Sequence, residues 1–217
     1  MSARRMILIN VILLVILVGG GFTGYYFYNK SVNYLSTDNA MVSGQQVAIA
    51  SPGTGTLTDW NAKVGDKFNK GEKLGTVQVM GPDGKPANMN INAPADGTIV
   101  QNNGVENSIA AAGSPLAITY DLDKLWVTAN IKETDINDVK AGQDVDVYVD
   151  AFPNANITGK VDSIGEATAG SFSLIPTNNN TSGNYTKETQ VIPVKITLDS
   201  YGVNLVPGMN VTVRIHK

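Results

Sequence analysis

Few side chains in this sequence could do chemistry, and their spacing argues for a structural role. His216 is the sole histidine and there is no cysteine. A metal centre built on His216 would have to borrow carboxylates from elsewhere. The lack of cysteine excludes disulfides, thiolate metal sites, cysteine nucleophiles and lipid attachment at an N-terminal cysteine. Asp144, Asp146 and Asp150 cluster closely enough to suggest calcium or paired acid and base groups. They alternate with Val145, Val147 and Val149, which places the carboxylates on the solvated face of a strand, and no loop has EF-hand-like ligand spacing. His216 likewise alternates with apolar neighbours and is expected to face solvent on a terminal strand. The Gly19-Gly20-Gly21 run lies inside an apolar stretch and cannot cradle a phosphate, and there is no G-x-S-x-G elbow or P-loop. No cofactor, no metal and no enzymatic activity are expected.

The elements carrying these residues are mostly strands. Glycine is abundant, at 22 of 217 residues, and charge is low at 16%, a balance that favours strands and turns. Setting aside Arg4, Arg5 and Lys30 leaves 13 basic groups against 19 acidic ones. An acidic body without a basic run has no footprint for a phosphate backbone, so nucleic acid is not an expected partner.

From Met6 to Tyr28 the chain is uncharged for 23 residues. As a helix this stretch reaches about 34 Å, enough for a hydrocarbon core of about 30 Å. Arg4 and Arg5 in front predict a cytoplasmic N-terminus, and Tyr25 to Tyr28 form an aromatic belt at the far interface. Met6 through Tyr28 is therefore expected to be an uncut transmembrane anchor with the body outside the cell membrane. The continuation of apolar character into the aromatic cluster argues against a cleaved signal peptide. Asn10 and Thr23 are candidate hydrogen bonders between helices.

An internal repeat follows. Ser51 to Val79 aligns with Ala93 to Tyr120 at an offset of 42, pairing Pro52 with Pro94, Gly55 with Gly97, Gly71 with Gly113 and Leu74 with Leu116, with a one-residue slip expected in the middle. Each half reads as short strands separated by Pro/Gly turns and cannot bury its apolar face alone, so the two must clasp. SPGTGTLTDWNAKVGDKFNKGEKLGTVQV and NAPADGTIVQ with AAGSPLAITY resemble the halves of a biotinyl/lipoyl-type domain. Lys85 is the one lysine in the joint MGPDGKPANMN, and its Asp-Gly-Lys-Pro setting matches neither attachment pattern of that family. It reads as an ordinary turn lysine.

Past Asp121 the alternation is clean. Leu125, Val127, Ala129 and Ile131 share one face, as do Val145, Val147 and Val149, then Ile192, Val194, Ile196 and Leu198, and finally Met209, Val211, Val213 and Ile215. KETDINDVKAGQ predicts a helix of two turns at most, with Thr134 as N-cap and Gly142 at its end. Several strands and one short helix predict a closed or nearly closed barrel.

The order of these parts resembles the membrane fusion, or periplasmic adaptor, proteins of the HlyD type, and within them the EmrA branch. The likeness lies in Thr37-Asp38-Asn39-Ala40, in Leu125-Trp126-Val127 and in FSLIPTNNNTSGNYTKETQVIPVKI. It implies an all-β chain: a transmembrane anchor over 1–30, a joining strand over 31–45, a split lipoyl-like (barrel-sandwich hybrid) domain over 46–120 with halves 46–79 and 90–120 around a turn at 80–89, and a small β-barrel with one short helix over 121–217. It further implies an adaptor in multidrug efflux, partnered by a polytopic transporter, most readily of the major facilitator type, and assembled from several copies. An anchored scaffold for an ABC-type exporter or for cell-wall assembly is the rival reading. Thr37, Asp38, Asn39, Asn178, Asn184 and Tyr185 are the expected partner contacts. Better-known members insert a long helical hairpin between the lipoyl halves, and this chain does not, so no outer-membrane channel is expected as a partner.

Overall fold

A computed structural model describes residues 3–81, 83–172 and 189–217, with the side chains of 3–9, 27, 29–31 and 172 left aside. One helix, α1 (Ala3–Asn33), leads without a break into β1 (Tyr34–Ser43). Thirteen further strands follow: β2 (Gln46–Ala50), β3 (Gly55–Trp60), β4 (Lys67–Phe68), β5 (Lys73–Met80), β6 (Pro86–Asn92), β7 (Gly97–Asn102), β8 (Ile109–Ala110), β9 (Pro115–Tyr120), β10 (Trp126–Lys132), β11 (Asp144–Val149), β12 (Ile157–Ile164), β13 (Val191–Ser200) and β14 (Asn210–His216). The chain divides into two compact units. One comprises Met1–Met41, Val127–Val203 and Asn210–Lys217, and the other Val42–Trp126 and Asn204–Met209.

The second unit is a sandwich of two four-stranded sheets, ordered β2-β9-β7-β4 and β6-β5-β3-β8. Each sheet takes strands from both halves of the repeat, which is how two half-modules close one core. Ile49, Leu57, Val77, Ile91 and Ile99 are fully buried between them. The offset of 42 governs the pairing as well as the sequence. Phe68 pairs with Gly97, and Ala110 with Gly55. The bulge between Leu57 and Asp59 returns between Ile99 and Gln101. Asn107 N–H donates to Leu57 at 2.7 Å as Gly65 N–H donates to Ile99 at 2.8 Å. The expected slip in the middle is therefore absent, because the bulge occurs in both halves and keeps the registers equal. Asn107, with φ of 64°, takes the place of Gly65 with φ of 94°, a conformation that asparagine tolerates better than most side chains.

The joint between the halves is shorter than expected. β5 runs to Met80 and β6 begins at Pro86, and Gly81 N–H donates to Lys85 O at 2.8 Å. Asn88 to Asn90, read from sequence as turn, belong to an edge strand because β5 supplies them a pairing partner.

The other unit is a closed six-stranded barrel, ordered β1-β10-β13-β12-β11-β14. Val127, Ala129, Val194, Ile196, Val213 and Ile215 are all fully buried inside it, as the alternation requires. Its expected short helix is only a 3-10 turn, Ile136–Asp138. Thr134 does not cap it, since its hydroxyl binds the neighbouring Asp135 carboxylate at 2.9 Å and no side chain caps the turn.

α1 contains the whole stretch Met6–Tyr28. Among the described residues no helix is long and apolar enough to cross a membrane. Ile12, Leu13, Leu14, Val15 and Ile16 are consecutive and each at least half exposed. Thr23 spends its hydroxyl on its own helix, donating to Gly19 O at 2.7 Å.

Candidate partner-contact site

β1 is held on both sides, by β14 and by β10, so its irregularities are built in and not frayed. Its pairing with β14 shifts between Thr37 and Ala40, where three steps along β1 meet two along β14. That bulge turns out the residues between. Asn130 on β10 fixes it from the side: its amide donates to Asn39 Oδ1 at 3.0 Å, and its backbone carbonyl accepts from Thr37 Oγ1 at 3.3 Å. Asn39 N–H in turn donates to Thr37 Oγ1 at 3.1 Å. Asp38 is left exposed at the crest, without a partner among the described residues. Thr37, Asp38 and Asn39 are thus brought together as one rigid feature. Asn178, Asn184 and Tyr185 lie outside the described residues.

Beside the bulge the outer barrel face carries a cluster that alternation alone did not reveal. Arg214 stands between two rings, 5.6 Å from the centre of Tyr34 and 5.3 Å from that of Tyr148. His216 is not simply solvated: its Nε2 lies 3.0 Å from Asp146 Oδ2, and its ring meets Tyr34 edge-on with centres 4.9 Å apart. Asp144 accepts a hydrogen bond from Lys160. The bond and the attraction of the ammonium hold the Asp144 carboxyl below its ordinary pKa and raise that of Lys160. Asp162 and Lys195 pair at 3.0 Å, and Asp138 and Lys217 at 2.7 Å. Of the three carboxylates read as a free solvated row, Asp144 is therefore matched to Lys160 and Asp146 to the His216 ring. Each strand shows its alternation in sequence, but the register that brings Tyr34 to His216 and Asp146 to Arg214 is set only by barrel closure.

Among the described residues no group of three His, Cys, Asp or Glu side chains could hold a metal. The clefts around Lys67 and Phe68 on the sandwich measure about 190 and 240 Å³, below the roughly 300–1,000 Å³ of small-molecule sites.

The YhbJ-type barrel-sandwich hybrid domain matches residues 45–121, and the YknX-like β-barrel domain matches 125–215. The efflux system component YhbJ of Bacillus subtilis (strain 168) is 39% identical over 215 residues, covering 99% of this chain and 94% of that protein. The chain belongs to the EmrA-like membrane fusion proteins, the adaptor subunits of efflux systems. The colistin resistance protein EmrA of Acinetobacter baumannii is 44% identical over 95 residues, 43% of this chain. This chain spans only 27% of that longer EmrA. The solved periplasmic adaptor protein EmrA superposes with a TM-score of 0.56 at 12% identity, over 86% of this chain and 99% of that one, a likeness of fold.

Proposed function

We propose that this EmrA-like chain is a single-pass, membrane-anchored adaptor that serves a polytopic transporter of the major facilitator type in multidrug export. The observation that carries the reading is α1: its described apolar residues point outward on every side, and it runs directly into the first barrel strand. An exposed helix that is apolar all round finds its complement in lipid or in other membrane helices. With Arg4 and Arg5 ahead of it, the positive-inside rule puts the β body outside the cytoplasm. There the bulge Thr37–Asn39 offers a fixed contact to the transporter, and several copies gather into a ring or sleeve that leads exported compounds away from the bilayer. The transporter supplies the energy, and this chain catalyses nothing. The short hairpin gives no reach towards an outer-membrane channel, so export ends at a single membrane.

The test is detergent extraction of the tagged full chain followed by mass spectrometry of co-purifying proteins. A many-spanning transporter of the major facilitator type is expected at near-stoichiometric yield, and the chain is expected to stay with membranes after alkaline carbonate washing. Release by carbonate, or reproducible isolation with soluble proteins alone, overturns the reading.

A further inference from the structure

Arg214 is the only arginine beyond Arg5, and it stands on the barrel with no acid paired to it. Lys160, Lys195 and Lys217 each hold a carboxylate. Asp146, the residue opposite Arg214 on β11, lies instead against the His216 ring. Among the described residues no carboxylate or carbonyl accepts from the Arg214 guanidinium, which stands against the rings of Tyr34 and Tyr148. Attraction to a ring engages the charge and leaves the N–H donors unspent. The two tyrosines therefore fix the position of a planar cation whose fork of donors matches two oxygens of a phosphate. A lysine at this place would offer only a point charge.

The place of this cation in the chain identifies the phosphate. Tyr34 follows α1 directly, and Lys217 N–H donates to Asn33 O at 2.9 Å, so the end of β14 is pinned to the end of the helix. Asn33 comes five residues after Tyr28, the last of the aromatic cluster, a rise of about 8 Å. The headgroup layer on each side of a hydrocarbon core is about 5–8 Å thick, and any tilt of the helix brings Tyr34 closer to it. We infer that Arg214, held by Tyr34 and Tyr148, binds the phosphodiester of a glycerophospholipid headgroup on the outer side of the membrane. The inference rests on the anchor reading of α1 given above. A lone helix leaves the barrel free to swivel about the helix axis. This second attachment fixes its orientation, and it does so in the same sense for every anchored copy.

The test is native mass spectrometry of the full chain in detergent, titrated with dioleoyl phosphatidylglycerol and in parallel with dioleoylglycerol, which has the same tails and no phosphate. The phospholipid is expected to show a binding step that the glyceride lacks, and Arg214→Gln is expected to weaken that step by roughly five-fold or more. Ser36→Glu supplies a second variant. Ser36 is exposed and pairs with Arg214 across β1 and β14, so a carboxylate there takes the guanidinium in a cross-strand ion pair. Its melting temperature is expected to hold or rise while the phospholipid step falls to the level of Arg214→Gln. Equal phospholipid binding by all three proteins, with the chain retained in carbonate-washed membranes, overturns the headgroup site and leaves the anchor standing. Inorganic phosphate that displaces the lipid at comparable concentration overturns the lipid as ligand. Release of the chain by carbonate overturns the anchor, and the headgroup site falls with it.

Discussion

Trp60 donates its indole N–H to Asn102 Oδ1 at 2.9 Å, a bond between two residues that occupy the same place in the two halves of the sandwich, 42 positions apart. Asn102 completes the latch by donating to Ala62 O at 2.7 Å and accepting from Gly104 N–H at 3.0 Å. Trp60 is only 8% exposed, so its donor has little access to water if the acceptor is removed. Asn102→Ala is expected to cost about 1–3 kcal/mol, the penalty of an unpaired buried donor. In a melt followed by tryptophan fluorescence that is a fall of several degrees, and Asn102→Asp, which keeps an acceptor for Trp60 but sets a carboxylate oxygen against the Ala62 carbonyl, is expected to lose stability as well.

The repeat makes a comparison of two glycines informative. Gly55 and Gly97 are equivalent, yet a Cβ at Gly55 would lie 2.0 Å from the Gln78 carbonyl oxygen, against 3.1 Å from that of Tyr120 for Gly97. Gly55→Ala forces β3 away from β5 and is expected to destabilise by about 1–3 kcal/mol, as overpacking does. Gly97→Ala is expected to cost distinctly less. Urea unfolding of the two variants measures the difference, and equal costs would contradict the geometry.

Asp38 stands exposed on a bulge whose shape Asn130 maintains. Asp38→Lys is expected to change stability by no more than about 0.5 kcal/mol and to reduce transporter recovery in the pull-down several-fold. Asn130→Ala releases Asn39 and is expected to lower recovery as well, with a small loss of stability from one exposed hydrogen bond. Unchanged recovery in both variants would remove the bulge from the contact surface.

The Asp144 and Lys160 pair gives a pH signature with a fixed sign. The lowered folded pKa of Asp144 makes its share of stability present above the unfolded carboxylate pKa and lost as pH falls through the folded value. The raised folded pKa of Lys160 makes its share full below the unfolded lysine pKa and lost as pH rises through the folded value. Asp144→Asn is expected to lower the melting temperature slightly at neutral pH, with the gap closing below about pH 4. Because the pair is exposed, the gap is also expected to fade in about 1 M salt. A gap that persists in acid or in salt would assign the effect to packing.

Composition, periodicity and the 42-residue repeat determined by themselves that this is an all-β chain with an apolar N-terminal stretch, a clasped sandwich and a barrel. Those signals are local: alternation at Val145, Val147 and Val149 marks a buried face whatever the neighbouring strand is. Register and closure are not local, and they decided the rest. The sequence offered Thr37, Asp38 and Asn39 as contacts, but the β1–β14 register made them a bulge and Asn130, 91 residues from Asn39, made it rigid. His216 and Asp146 looked like separate solvated side chains until barrel closure set their strands side by side. Asn88 to Asn90 looked like turn because amide-rich segments favour turns, and β5 drew them into a sheet edge. Strand pairing is a long-range choice, made where the chain gains the most burial and hydrogen bonding at once, so its consequences appear only in the folded molecule.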